Sequence, residues 1–298
     1  MRFARIRRFI PASMAPFAAS MAFRAAGRWA LISPPRRRLR PPAFLNWSGD
    51  GDPEAVGLEF LGHLKALAAL KPQDSVLDIG CGVGRIAIPL TTYLDASSAY
   101  EGFDITNPQI LWCKRCISRR HPNFRFQVAD IYNRHYNASG RYPASEYIFP
   151  FDDGTFDVAI ATSVFTHLNA ADAAHYLAET GRVLKPGGRA LITFFLLTPD
   201  SRQRAGSGQA SLAFQQFGSD TWTVDEKDPE RAIAFPEKEI STLYDRCGLE
   251  IEGRYYGGWS GRSGSRTYQD ILVARKPSGI GPGGRAIPLG GAVGALAK

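Results

Sequence analysis

An α/β fold built on a doubly wound parallel sheet is what this sequence predicts. Two observations carry the prediction. Short apolar runs alternate strictly with helix-period segments between residues 74 and 197, and a glycine-rich turn, "DIGCGVGR", directly follows the first of those runs. Strand–helix alternation demands crossover connections, and crossovers place successive strands parallel to one another.

The elements follow in order. "PPRRRLRPP" (34–42) cannot be helix interior, so order begins near Phe44. "DPEAVGLEFLGHLKALAAL" has apolar residues at helical spacing, an acidic start and Pro53 in its first turn, which makes it a helix. "DSVLDIG" is a buried strand, Val83 to Leu94 a helix, "AYEGFDI" the second strand and "NPQILWCKRCISRRH" the next helix. "NFRFQVADI" and "FDVAIATSVF" are the third and fourth strands; "AADAAHYLAETGRVL" is a helix that "PGG" turns into the fifth strand, "RALITFFLL". After Leu197 the periodicity stops, and residues 197–235 read as a lid-like insertion. "PEKEISTLYDRCG" is the last helix; "LEIEGRYYG" and "RTYQDILVARK" are two strands joined by "GWSGRSGS". The expected organisation is a basic arm (1–43), one domain (44–276) and a disordered glycine-rich tail (277–298).

Charge is unevenly spread. The formal net charge is +8, but residues 1–40 hold ten arginines and no acid. The stretch 41–275 carries 23 basic and 28 acidic residues, so the body is mildly acidic. An acidic body argues against a nucleic-acid substrate held through phosphates. The arm has three open readings: a mobile segment touching anionic lipid, a processed targeting segment, or the product of an upstream start codon with Met14 or Met21 as alternatives. Its longest uncharged run, Phe9 to Phe23, is too short and too proline-broken to span a bilayer. Cys81, Cys113, Cys116 and Cys247 are too few and scattered for a disulfide framework, and reduced thiols suit a cytoplasmic protein. "CKRC" has no second pair and only His121 nearby, so no metal is expected.

The glycine turn poses the cofactor question. A dinucleotide loop needs G-x-G-x-x-G, but counting from Gly80 and Gly82 the third place is Arg85, with glycine one residue early at Gly84. A pyrophosphate would be repelled by Asp78 at the strand end, whereas a ligand bearing an ammonium would be favoured. Asp104, closing the second strand 20 residues past Gly84, is placed to accept ribose hydroxyls; Asp130, closing the third, can take an adenine amino group.

Together these residues resemble the class I S-adenosylmethionine-dependent methyltransferases. "VLDIGCGVGR" is similar to that family's first motif, "FPFDDGTFDVAIATSVFTHL" to its fourth-strand motif, and "RVLKPGGRALITFF" to its turn into the fifth strand. The resemblance covers about 54–276 and implies a seven-stranded, mostly parallel sheet whose final strand, "RTYQDILVARK", is antiparallel. It implies S-adenosyl-L-methionine as cofactor, with contacts from Asp78, Gly80, Cys81, Gly82, Gly84, Asp104, Asp130, Ile131 and Ser163. Ser163 reads equally well as packing.

The acceptor is approached by elimination. Thr162-Ser163-Val164-Phe165 is neither the N/D-P-P-Y motif of amino-methylating DNA enzymes nor a Pro-Cys nucleophile, and no Asp/Asn metal cluster is visible. A small molecule remains, with oxygen the commonest methyl acceptor. His167 is the candidate general base; Trp222, Tyr256, Trp259 and Arg262 are candidate substrate contacts, and the lid aromatics read equally as a small core of their own. Alternatives kept open are an RNA methyltransferase using the basic arm, a nicotinamide-dependent oxidoreductase and a non-catalytic binding module.

Overall fold

The computed structural model describes residues 39–46, 52–218 and 221–278. The basic arm up to residue 38 and the tail from 279 lie outside the described residues. Helix α1 (Pro53–Leu67) opens with Pro53 in its first turn and Asp52 capping the Glu54 N–H. Alternation then proceeds as expected: β1 (Val76–Ile79), α2 (Ala87–Leu90), β2 (Tyr100–Asp104), α3 (Asn107–Cys113), β3 (Phe124–Val128), β4 (Phe156–Ala161), α4 (Ala170–Val183) and β5 (Leu184–Phe194). After the insertion come α5 (Pro199–Gly206), α6 (Glu237–Arg246), β10 (Glu250–Tyr255) and β11 (Asp270–Arg275).

Seven strands form one sheet in the order β10-β11-β5-β4-β1-β2-β3. The pairs β1–β2, β1–β4, β2–β3 and β4–β5 are parallel, while β11 runs antiparallel to both β5 and β10. Strand order reverses between β4 and β2 on either side of β1, and ligands in such sheets bind beyond the strand ends at that crevice.

Both faces are covered. Leu77, Ile79, Ala159, Ile192 and Phe194 pack against Leu177 of α4 and Ile240 of α6. Val76, Tyr100, Val158 and Leu191 pack on the other face with Phe60 and Leu64 of α1 and Ile110 of α3. Each such side chain, fully buried, contributes about 1.5–3 kcal/mol.

Three elements depart from the sequence expectation. The helix expected over 83–94 is regular only over Ala87–Leu90. Gly84 sits at φ +70° before it, and the Thr91 and Thr92 hydroxyls donate to the Ile88 and Pro89 carbonyls at 2.7 and 2.8 Å, competing with the helix ladder. The helix after β2 loosens into a π-helical turn over Lys114–Ser118. The insertion is not a bare loop. Its α5 starts at a capping box in which Thr198 and Ser201 satisfy one another's backbone N–H groups. A second sheet, β6-β9-β8-β7, is made from Leu196–Leu197, Ile233–Pro236, Thr221–Thr223 and Gln215–Phe217. Phe195, Leu197, Ala234 and Trp259 form a separate core for it, with Phe214 and Trp222 packed alongside.

Candidate active site

The ends of β1, β2 and β4, the start of α4 and the insertion enclose a cavity of about 1240 Å³. That exceeds the usual single-ligand pocket of about 300–1,000 Å³ and leaves room for two molecules.

The β1 end is shaped by backbone. Gly80, Gly82 and Gly84 all take positive φ (70°, 53° and 70°), which lets the chain fold tightly between strand and helix. At Gly80 a Cβ would lie 2.4 Å from Val164 Cγ2, so only glycine lets the β1 and β4 loops meet across the cavity floor. Val164 is pressed there because Ser163 adopts φ +58°, a left-handed conformation costing a side-chain-bearing residue about 1–2 kcal/mol. Ser163 is anchored by its N–H donating to Thr193 Oγ1 at 2.8 Å and its hydroxyl donating to Gln269 Oε1 at 3.2 Å. Strain held by surrounding hydrogen bonds is common at functional sites.

Asp104 stands on the cavity wall. Gly82 N–H donates to its Oδ2 at 2.8 Å, and the Thr106 N–H and hydroxyl donate to its Oδ1 at 2.8 and 2.5 Å. The Ile105 N–H donates to it as well, so its own loop occupies the carboxylate's acceptor positions and a ligand hydroxyl would share one of them. Burial pushes the Asp104 carboxyl above its ordinary range, against those hydrogen bonds. Ile105 and Ile131 supply apolar wall nearby.

Of the three acids expected to surround one ligand, only Asp104 lines the cavity. Strand alternation turns Asp78 to the face of Val76, where it is buried with Oδ2 accepting from the Tyr100 hydroxyl at 2.5 Å and Oδ1 unpartnered. Burial pushes its carboxyl up to about 7. Asp130 turns outward to Arg141, which donates to it at 2.5 Å and holds its carboxyl below the ordinary range. Gly80, Ile131 and Ser163 are on the wall, whereas Cys81, Gly82 and Gly84 lie behind it. Cys81 and Cys113 are buried thiols whose proton affinity burial raises further. All four cysteines are unbridged, and among the described residues no His/Cys/Asp/Glu cluster could hold a metal.

The candidate substrate contacts are placed differently from expectation. His167 is on the wall, but Trp222, Tyr256, Trp259 and Arg262 are not. Trp259 is buried, its indole N–H donating to Asp270 Oδ2 at 2.8 Å, because it is the centre of the insertion's core. Trp222 is stacked 4.1 Å under the Arg202 guanidinium. Tyr256 donates to Glu237 at 2.6 Å, and Arg262 donates to Asp200 at 2.5 Å. Trp222, Trp259 and Arg262 hold the insertion in place, and Tyr256 packs on the main-sheet core.

His167 sits at the far end of the cavity. Its Nδ1 lies 2.8 Å from the Glu230 carbonyl, and since a carbonyl only accepts, Nδ1 carries the proton and Nε2 presents a lone pair. Burial holds the imidazole below its ordinary pKa, so the neutral form is favoured. Three further residues on the wall were not among the expected site residues. Arg85 reaches Thr162 Oγ1 at 3.2 Å, beside Asp78 and Asp104; Asp172 and Glu230 add carboxylates near His167. Arg85 was visible only as a missing glycine, and Glu230 lies in a stretch with no periodicity.

Comparison with known proteins leads to methyltransferases. Residues 76–188 match the model of a family described as a methyltransferase domain. A 27-O-demethylrifamycin SV methyltransferase of Amycolatopsis mediterranei is 32% identical over 137 residues, 46% of this chain and 44% of that protein. A phthiotriol/phenolphthiotriol dimycocerosates methyltransferase of Mycobacterium ulcerans is 31% identical over 167 residues, 51% of this chain and 52% of that protein. The chain thus spans about half the length of the curated relatives it matches. The solved PH0226 protein of Pyrococcus horikoshii aligns with TM-score 0.53 at 19% identity, covering 76% of this chain and 92% of that one, a likeness of fold.

Proposed function

We propose that this chain, which carries a class I S-adenosylmethionine-dependent methyltransferase domain, moves a methyl group onto a hydroxyl of a small molecule. The observation that carries the reading is one cavity with Asp104 and the Gly80 loop on its wall and a neutral, oriented His167 facing the same space.

The residues present fit the cofactor. The Gly80 cradle, which a Cβ would fill, gives close backbone approach; the Asp104 carboxylate on the wall suits a ribose hydroxyl, and Ile105 and Ile131 suit a flat base. When bound, S-adenosylmethionine supplies a methyl on a sulfonium, whose C–S bond breaks as the acceptor oxygen bonds the carbon, the sulfur keeping the electron pair. His167 Nε2 takes the hydroxyl proton, a role for which a neutral imidazole is suited. The insertion lends Leu212, Ala213 and Val224 to the wall, and the strained Ser163 turn helps fix where His167 stands, the His167 N–H donating to the Val164 carbonyl at 2.9 Å.

Several facts support a small acceptor. The two relatives named above are named for a demethylrifamycin and for phthiotriol-type dimycocerosates, and the cavity wall carries more carboxylates than cations, unlike a basic groove. Arg85 in the third-glycine place opposes a nicotinamide reading. Four unbridged cysteines fit a cytoplasmic setting, and among the described residues no helix is long and apolar enough to cross a membrane. Residues 44–276 act as one catalytic unit in this reading, with the basic arm free to touch an anionic surface.

The test is calorimetry with S-adenosylhomocysteine, followed by mass spectrometry of small-molecule pools incubated with labelled S-adenosylmethionine. Micromolar binding and an added methyl on oxygen are expected. Absence of cofactor binding at high protein concentration ends this reading.

A further inference from the structure

The His167 end of the cavity holds charge that methyl transfer itself does not use. Glu230 and Asp172 both line it. Their hydrogen-bond partners are neutral: Asn133 Nδ2 donates to Glu230 Oε2 at 3.1 Å, Asn169 Nδ2 donates to Asp172 Oδ2 at 2.7 Å, and Ser145 donates to Asp172 as well. Neutral donors occupy lone pairs but cancel no charge. The neighbouring basic side chains pair elsewhere: His135 Nε2 is 2.7 Å from Asp228, His175 Nε2 is 2.9 Å from the Tyr147 carbonyl, and Arg231 is 3.8 Å from Asp225. Arg134 is exposed and off the cavity wall. Burial raises the proton affinity of both Glu230 and Asp172, and the field of Asp172 adds to it at Glu230.

A second observation points to a ligand at the same place. Thr166, next to His167 and on the wall, is 1% exposed, yet its Oγ1 has no hydrogen-bond partner. A buried unpaired hydroxyl is unfavourable, and a polar group bound against it would satisfy it. Tyr132, Tyr136 and Tyr176 line this end too, and aromatic rings favour cations over anions.

We propose that the acceptor carries a protonated amine, held by the Glu230 and Asp172 carboxylates, which places a hydroxyl of the same molecule beside His167 Nε2. The substrate class is therefore a small hydroxylated amine. The inference rests on the methyltransferase reading for its last step, but the amine site stands or falls separately.

The experiment uses the full chain with and without saturating S-adenosylhomocysteine, and three probes sharing a phenol: tyramine, 4-ethylphenol and 3-(4-hydroxyphenyl)propionate. Ligand-observed NMR and calorimetry report their affinities. Tyramine is expected to bind at least about tenfold tighter than either other probe, a charge-assisted preference. Glu230→Gln with Asp172→Asn, both near-isosteric, should erase that preference while leaving S-adenosylhomocysteine affinity and the melting transition essentially unchanged. Equal or absent binding of the three probes to the wild-type chain, or a preference that survives the double substitution, overturns the proposal. Failure of S-adenosylhomocysteine alone to bind would instead remove the methyltransferase reading, because the amine preference is also measured without it.

Discussion

The Tyr100 hydroxyl donates to Asp78 Oδ2 at 2.5 Å beneath the glycine loop, and nothing partners the other carboxylate oxygen. Burial raises the Asp78 carboxyl from 3.8 to about 7. The folded chain therefore binds this proton more tightly than the unfolded chain, so stability is fully present below about pH 4 and falls as pH rises towards 7. At 1.36 kcal/mol per pH unit the effect is at most about 4 kcal/mol. Denaturant titrations from pH 4 to 8 should show this fall in the wild type and a flatter profile in Asp78→Asn. Parallel profiles would show that Asp78 is not the group responsible.

Asp104 holds the first loop through the Gly82 N–H and, in the proposed reading, would also hold a ribose hydroxyl. Asp104→Asn replaces one acceptor oxygen with a donor and removes charge, so S-adenosylhomocysteine affinity should fall by about 1.5–3 kcal/mol. Calorimetry measures it. An unchanged affinity would place the adenosine elsewhere.

His167 must be neutral to accept a proton. With its pKa held below the ordinary 6.5 by burial, the acid limb of kcat/KM should have its midpoint below that value and level off above it. His167→Ala should lower kcat by about 10²–10⁴-fold with cofactor affinity preserved. A variant that loses cofactor binding instead would assign the residue to folding.

Gly80 and Val164 are in steric competition. Gly80→Ala adds a Cβ 2.4 Å from Val164 Cγ2 at φ +70°, and should destabilise by about 1–3 kcal/mol. Adding Val164→Ala relieves the clash but not the backbone strain, so the double mutant should recover part of the loss. Strict additivity in urea titrations would contradict the contact.

Trp259 closes the insertion over the buried Asp270 carboxylate, which also accepts from the Gly257 and Leu196 N–H groups at 2.7 and 2.6 Å. Trp259→Phe keeps most of the apolar volume and deletes one donor, costing about 1–3 kcal/mol. Hydrogen exchange should quicken around Leu196–Leu197 and Ile233–Pro236 more than in β1 or β4; a uniform change would mean that the two cores unfold together.

Strand–helix alternation made the central sheet legible, because each strand is a compact apolar run and each helix has a periodic stripe. The glycine loop and Asp104 were legible because backbone geometry there admits few residues. Asp78 and Asp130 show the limit. Position at a strand tip does not say where a carboxylate turns, and Tyr100 and Arg141 decide that from other segments. The insertion misled for a related reason: Trp222, Trp259 and Arg262 look like exposed binding groups until long-range contacts bury or pair them. The Thr198–Ser201 capping signal was present but too short to reveal a second sheet. Glu230 and Asp172 became neighbours of His167 only through folding.

The main sheet's β5 runs on through Phe195 into β6, the first strand of a smaller sheet that has its own apolar centre. In the proposed reading the methyl donor would sit over the larger sheet, while the smaller layer lends Glu230 to the acceptor end. Exchange of residues 198–232 for another self-supporting segment should then recast that end without rebuilding the larger sheet.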